Sequence, residues 1–134
     1  MQVFALQSWE IPLHWELVEP HLRRFEKETL LLSAEGIRAN CEALRQQLWI
    51  AVADSRVIGV LITEIYSTLR GSICAIWALA GTQSEPGQLT AGLEEIRKFA
   101  RGKGCIALEI RGRKGWERLI PDAKRVGVIL EVAL

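Results

Sequence analysis

Apolar residues follow two regimes along this chain: helix-like spacing up to Leu44, and short β-type runs from Leu48 onward. A first strand fits Val3 to Gln7. Leu13, Leu17, Leu22 and Phe25 then recur at roughly helical intervals, with Pro20 either kinking one helix or opening a second. Another helix is expected after Ser33 as N-cap, burying Ile37, Cys41 and Leu44, and pairing antiparallel with the first. The runs Leu48 to Ala53 and Val57 to Ile65 are rich in β-formers and flank Asp54-Ser55-Arg56, which predicts a hairpin. After a loop from Tyr66 to Gly71, the run Ser72 to Ala80 completes a meander.

Beyond a loop from Gly81 to Gly87, Leu89, Leu93, Ile96, Phe99 and Ala100 form the stripe of an amphipathic helix. Arg101-Gly102-Lys103-Gly104 reads as its C-cap, because the glycines accept a left-handed conformation and the cations suit the negative end of the dipole. A strand from Cys105 to Arg111, a short helix from Lys114 to Ile120 and a last strand from Val126 to Ala133 complete the order. The fold class is therefore α+β: a mixed, mostly antiparallel sheet with helices on both faces, in the order β-α-α-β-β-β-α-β-α-β. A strand-helix-strand crossover after a meander makes Ser72 to Ala80 and Cys105 to Arg111 parallel neighbours. With 134 residues, 49% apolar, the chain is expected to form one domain over residues 1–134. It contains no apolar run of membrane-spanning length and no leader pattern at Met1 to Gln7, so a cytoplasmic location is expected.

Charge adds an asymmetry that the net value of +1 hides. Residues 97–125 hold ten basic side chains against three acidic ones, so this stretch is strongly basic and the remainder acidic. Such a half can meet an anionic ligand or an acidic partner, or simply be a solvated face. Cys41, Cys74 and Cys105 are an odd number of cysteines within apolar runs, which points to reduced core thiols. His14 and His21 lack companions at metal-ligand spacing, so no metal is expected. No serine sits in a nucleophile-elbow context. Trp49, Trp77 and Trp116 fall in apolar segments and are read as core; only Arg111 to Arg118 around Trp116 faintly approaches a nucleic-acid stacking surface, and nucleic acid is not expected as a partner.

Several segments bear on kinship: Leu48-Trp49-Ile50-Ala51, Trp77-Ala78-Leu79-Ala80-Gly81, Gly104-Cys105, and most specifically Gly112-Arg113-Lys114-Gly115-Trp116-Glu117-Arg118. With the element order, they resemble the GNAT (Gcn5-related N-acetyltransferase) superfamily across nearly the whole chain, closest to the GNAT-like proteins of tailed bacteriophages and prophages. That resemblance implies acetyl-CoA as cofactor, its pyrophosphate held by a loop of pattern (R/Q)xxGx(G/A) at a helix N-terminus, where free amides and the dipole favour an anion. It places cofactor contacts at Leu79, Gly81, Gln83, Ser84, Gly87 and Gln88. In this stretch Ser84 stands where Arg or Gln is expected and Leu89 where a small residue is expected; in the alternative register Pro86 replaces a glycine and removes an amide. Glu85 adds negative charge in either register.

Catalysis in that superfamily uses a carboxylate to remove the amine proton through water and a tyrosine to protonate the thiolate. Glu64 and Glu109 are the strand carboxylates, and Tyr66, the one tyrosine, falls outside the region where the resemblance implies it. These departures favour a non-catalytic GNAT fold serving in binding, virion assembly or host interaction, in the host cytoplasm or with the virion. It would dock a protein partner through Arg111, Arg113, Lys114 and Arg118. The alternative is an acetyl-CoA-dependent N-acetyltransferase acting on a small amine or a protein amino group.

Overall fold

The computed structural model describes residues 2–81, 86–111 and 116–134, with the side chains of 78–81, 86–91, 116 and 119 outside that description. Its elements are β1 (Gln2–Ala5), α1 (Ile11–Glu26), α2 (Ala34–Glu42), β2 (Gln47–Ala53), β3 (Arg56–Thr68), β4 (Gly71–Gly81), α3 (Pro86–Gly102), β5 (Cys105–Ile110) and α4 (Trp116–Leu119). A 3-10 turn at Ser8–Glu10 links β1 to α1.

The five strands lie in sequence order, β1-β2-β3-β4-β5. Every neighbouring pair is antiparallel except β4 and β5, which are parallel as the crossover rule requires. The β2–β3 hairpin turns on Asp54 and Ser55, with φ of 51° and 60°. Two successive left-handed residues give the mirror-image turn whose twist matches that of the flanking strands. β3 continues past Ile65 to Thr68, so Tyr66 stands on a strand and not in the expected loop. The turn is only Leu69-Arg70, closed by the Thr68 hydroxyl, which donates to the Gly71 carbonyl at 2.8 Å and accepts from the Arg70 amide. Gly71 is required there: its φ is 146°, and a Cβ would come within 3.0 Å of the Ile106 side chain.

α1 is one helix running through Pro20, which resolves the two alternatives. Its buried face is Ile11, Val18, Leu22 and Phe25, whereas Leu13 and Leu17 are 69% and 57% exposed. Two positions on from Ile11 is about 200° around the helix, so Leu13 faces away from the sheet. In α2 the Ser33 hydroxyl accepts from the Gly36 amide at 3.0 Å, as a cap should. Ile37 and Cys41 are buried, but Leu44 is exposed at φ 63°, because the helix has ended at Glu42 and the chain is already turning.

The sheet is covered on both faces. α1 and α2 pack over Leu48, Ile50, Val60 and Ile62, with Trp77 at the margin; Leu93, Ile96 and Ala100 of α3 pack over Trp49, Cys74 and Ile76, joined by Ile120. α3 closes on Gly104 at φ 74°, with the Lys103 amide donating to the Phe99 carbonyl, so the cap reading holds. The helix starts at Pro86, which brings Gly87 and Gln88 into its first turn and leaves Gly81 on β4. Cys41 and Cys74 are buried free thiols, pushed up by burial to about 12 and about 11, while Cys105 is free and half-buried.

One expected element is absent. Residues 126–133 form no strand, and residues 121–134 are exposed throughout. Strong β-formers make a strand only where an edge accepts them; here Glu131 instead receives hydrogen bonds from the Thr29 hydroxyl and the Leu30 amide, at the α1–α2 connection.

Candidate active site

β4 and β5 run side by side only as far as Ile76 and Ile110, with a last bond from the Arg111 amide to the Ile76 carbonyl at 3.0 Å. β4 then goes on to Gly81 paired with β3, so among the described residues its other edge carries no strand. An extra residue, Trp77, sits in β4 at that point: Thr63 pairs with Ile76, but Ile62 pairs with Ala78. Such a bulge bends its strand and sharpens its twist. The outcome is a fork whose β4 arm pairs, among the described residues, on its β3 side alone, leaving the backbone groups of the other side without a strand partner there.

Polar side chains converge beside the fork. Glu64 of β3 pairs with Ala75 of β4, and Ala75 pairs with Glu109 of β5, so the two glutamates lie in one cross-strand row about 10 Å apart at the backbone. Tyr66 and Arg111 are each two residues further along and share that face, opposite the one covered by α3. The Tyr66 hydroxyl donates to Glu109 Oε2 at 2.5 Å, and Arg111 Nε donates to Glu109 Oε1 at 2.6 Å. The Arg111 guanidinium in turn stacks 4.1 Å from the centre of the Trp77 ring. The indole nitrogen of Trp77 is buried without a hydrogen-bond partner among the described residues.

This chain of contacts sets the protonation states. Burial acts to raise the Glu109 carboxyl, but the hydrogen bonds from Tyr66 and Arg111 and the Arg111 charge outweigh it and hold it below its usual range. The Tyr66 hydroxyl is pushed up, first by its hydrogen bond to Glu109 and then by desolvation. At neutral pH the group is therefore a carboxylate saturated by a phenol and a guanidinium. Glu64 makes no ion pair among the described residues.

Of the residues expected to matter, the structure brings Glu64, Tyr66, Glu109 and Arg111 onto one face. Arg111, expected on a docking surface, is committed to Glu109 and Trp77; Arg118 stands exposed on α4. Leu79 and Gly81 lie on the free arm of β4 and Gly87 and Gln88 at the start of α3, while Gln83, Ser84, Arg113 and Lys114 lie outside the described residues. Much of the basic stretch is neutralised internally: Arg97 forks onto Asp122 with two bonds of 3.1 Å, and Arg125 meets Glu117 at 2.6 Å. The bulged Trp77 was missed as a site residue. Its neighbours carry a signal in the sequence, Glu64-x-Tyr66 and Glu109-x-Arg111, each a same-face pair on strands flanking β4.

No protein-family profile matches the sequence, and no curated protein matches it either. Solved structures match in fold. An aminoglycoside acetyltransferase from an uncultured soil metagenomic sample superposes with TM-score 0.75 at 15% identity, covering 99% of this chain and 95% of that one. A predicted acetyltransferase with acetyl-CoA from Clostridium acetobutylicum gives TM-score 0.70 at 13% identity, covering 98% and 95%. A ribosomal-protein-alanine N-acetyltransferase from Brucella melitensis gives 0.69 at 9%, covering 98% and 100%. The chain has the GNAT acetyltransferase fold.

Proposed function

We propose that this chain is an acyl-CoA-dependent N-acyltransferase whose reaction centre is the β4–β5 fork. The observation that carries this reading is the parting of two parallel strands after Ile76 and Ile110, with Glu64, Tyr66 and Glu109 beside the gap. The free edge of β4 fits the pantetheine arm of acetyl-CoA, because an unpaired strand edge accepts another amide-bearing chain as it would a strand. Bound there, acetyl-CoA would supply an acyl thioester whose carbonyl an amine attacks, the new C–N bond replacing the C–S bond and the departing CoA thiolate taking its proton from water.

The residues of the chain divide the remaining work. Glu64, without an ion-pair partner among the described residues, is the carboxylate available to take the amine proton through water. Glu109 is held ionised by Tyr66 and Arg111, which take up both of its oxygens, so its part is to fix the orientation of Tyr66. The Tyr66 proton points at Glu109, which makes Tyr66 a positioning residue.

At millimolar acetyl-CoA the unfolding midpoint should rise, since a ligand at 100 times its dissociation constant adds about 2.7 kcal/mol. Absence of any shift overturns the cofactor reading. With an aminoglycoside or a peptide bearing N-terminal alanine as acceptor, Glu64→Gln should lower acetyl transfer by about 10²-fold or more while leaving the acetyl-CoA shift intact.

A second reading keeps the fold without the reaction: a binding factor for virion assembly or host interaction of a phage-type protein, docking through Arg113, Lys114 and Arg118. Two observations support it, the Ser84, Glu85 and Leu89 departures in the phosphate stretch and the mutual saturation of Tyr66 and Glu109. It predicts no acetyl-CoA shift, and capture of a specific partner that is lost in Arg118→Glu.

A further inference from the structure

Among the described residues the fork ends blind. Its floor is the backbone bond from the Arg111 amide to the Ile76 carbonyl, at 3.0 Å. Side chains alternate across a strand, so Ile76 and Ile110 close one face of this end and Trp77 and Arg111 the other. Ile76 and Ile110 are packed into the layer under Leu93 and Ile96 of α3. On the opposite face Trp77 and Arg111, one from each arm, meet across the gap, with the guanidinium 4.1 Å from the centre of the ring. Both are held in place: the ring packs at the margin of the core beneath α1 and α2, and Arg111 is tied to Glu109 at 2.6 Å. The indole nitrogen is buried, so the part of the ring that faces open space is carbon.

We propose that this closed end is the pocket for the acyl group and that Trp77 sets its depth, so that the chain takes acetyl-CoA and turns away thioesters with longer acyl chains. The inference rests on the acyl-CoA reading above and goes beyond it by naming the group transferred and the residue that selects it. A pantetheine arm along the unpaired side of β4 brings its thioester to Trp77, the first residue of that strand past the parting. Acyl carbons beyond the carbonyl then point at the floor, between the indole and the two isoleucines. A methyl group needs little depth there. In a pocket walled by packed side chains each methylene that finds no room costs about tenfold or more, and every added carbon must displace the indole or the Arg111 head that leans on it. The bulge is what places the ring: an extra residue in β4 at this point turns a large side chain into the crotch of the fork.

Calorimetric titration of the full chain with CoA, acetyl-CoA, butyryl-CoA and hexanoyl-CoA reads the pocket without an acceptor. In the unsubstituted chain acetyl-CoA should bind about tenfold or more tighter than hexanoyl-CoA, with butyryl-CoA between them. Trp77→Ala should bring the three thioesters to within about threefold of one another, because the space vacated by the ring admits the longer chains. Circular dichroism checks that this variant folds; where it does not, Trp77→Leu, which keeps an apolar side chain against the core, should still narrow the gap between acetyl-CoA and butyryl-CoA. Failure of both CoA and acetyl-CoA to bind the unsubstituted chain overturns the acyl-CoA reading and this inference with it. If acetyl-CoA binds but hexanoyl-CoA binds equally well, the cofactor reading stands and the pocket is overturned. The same holds if the preference for acetyl-CoA is unchanged in a folded Trp77 variant.

Discussion

Ile62 and Ile129 occur in runs of similar composition, yet Ile62 is fully buried and Ile129 is 61% exposed. Leu48 and Leu130 repeat the contrast, at 0% and 86%. The members of each pair differ in their neighbours. β2 and β3 have a strand on each side and helices on both faces, whereas residues 126–133 have neither among the described residues. Apolar character provides the tendency to be buried, and adjacent edges decide whether it is realised. The same contrast governs polar groups. Inside, Thr63 accepts from the Trp49 indole at 2.9 Å and donates to Gln47 at 2.8 Å with no solvent access; outside, Thr29 and Glu131 make a bond of similar length in full view of water.

The comparison is broken most directly by truncating both members of a pair. Ile62→Ala should cost about 2–5 kcal/mol in urea unfolding, because it removes buried methyl groups and leaves a cavity between α1 and the sheet. Leu130→Ala should fall within about 0.5 kcal/mol of the unsubstituted protein, since the side chain is already exposed. Equal losses would show that the outer segment is as well packed as the interior. A smaller difference separates the two hydroxyls. Thr63→Val keeps the shape but strands the indole N–H and the Gln47 amide oxygen, which should cost about 1–3 kcal/mol. Thr29→Val should be close to neutral on the same scale, because water replaces the lost bond.

The dense region is also the part that could be read from the sequence. Alternation and turn chemistry place β2, β3 and β4 to within a few residues, because Asp54-Ser55 and Gly71 are local signals and each strand is flanked by others of the same kind. The parallel pairing of β4 with β5 followed from handedness alone. Errors gather where a residue's fate depends on something distant. Leu13 and Leu17 look like stripe residues beside Leu22 and Phe25, but the face that α1 buries is Ile11, Val18, Leu22 and Phe25; Val126 to Ala133 looks like a strand, but among the described residues it pairs with none. At the site, Glu64, Tyr66 and Glu109 were visible as residue types. Their meeting was not, because it depends on β3 running three residues further and on Trp77 bulging from β4 beside Arg111.

The smallest expected effect separates the two regions by pH. In the interior, His21 keeps one ring nitrogen buried without a partner among the described residues; burial, then the Arg24 charge, press its imidazole below the ordinary value of 6.5, against a hydrogen bond to the Val57 backbone. The unfolded chain therefore binds the proton more readily than the folded one. The stability from neutral His21 is complete above that ordinary value and is lost as pH falls through the lower folded value. The outer segment depends on carboxylates, Asp122 held down by Arg97 and Glu131 by Thr29 and Leu30. Their contributions are complete above the ordinary values of 3.8 and 4.5 and fade only as pH drops below them. Acidification should thus reach the interior first. Between about pH 7 and about pH 5.5 the urea midpoint should fall in the unsubstituted protein, and His21→Gln should remove that fall while keeping the one at lower pH. A variant with an unaltered profile would mean that the imidazole is accommodated as well charged as neutral, and the unpartnered nitrogen beneath α1 would carry no cost.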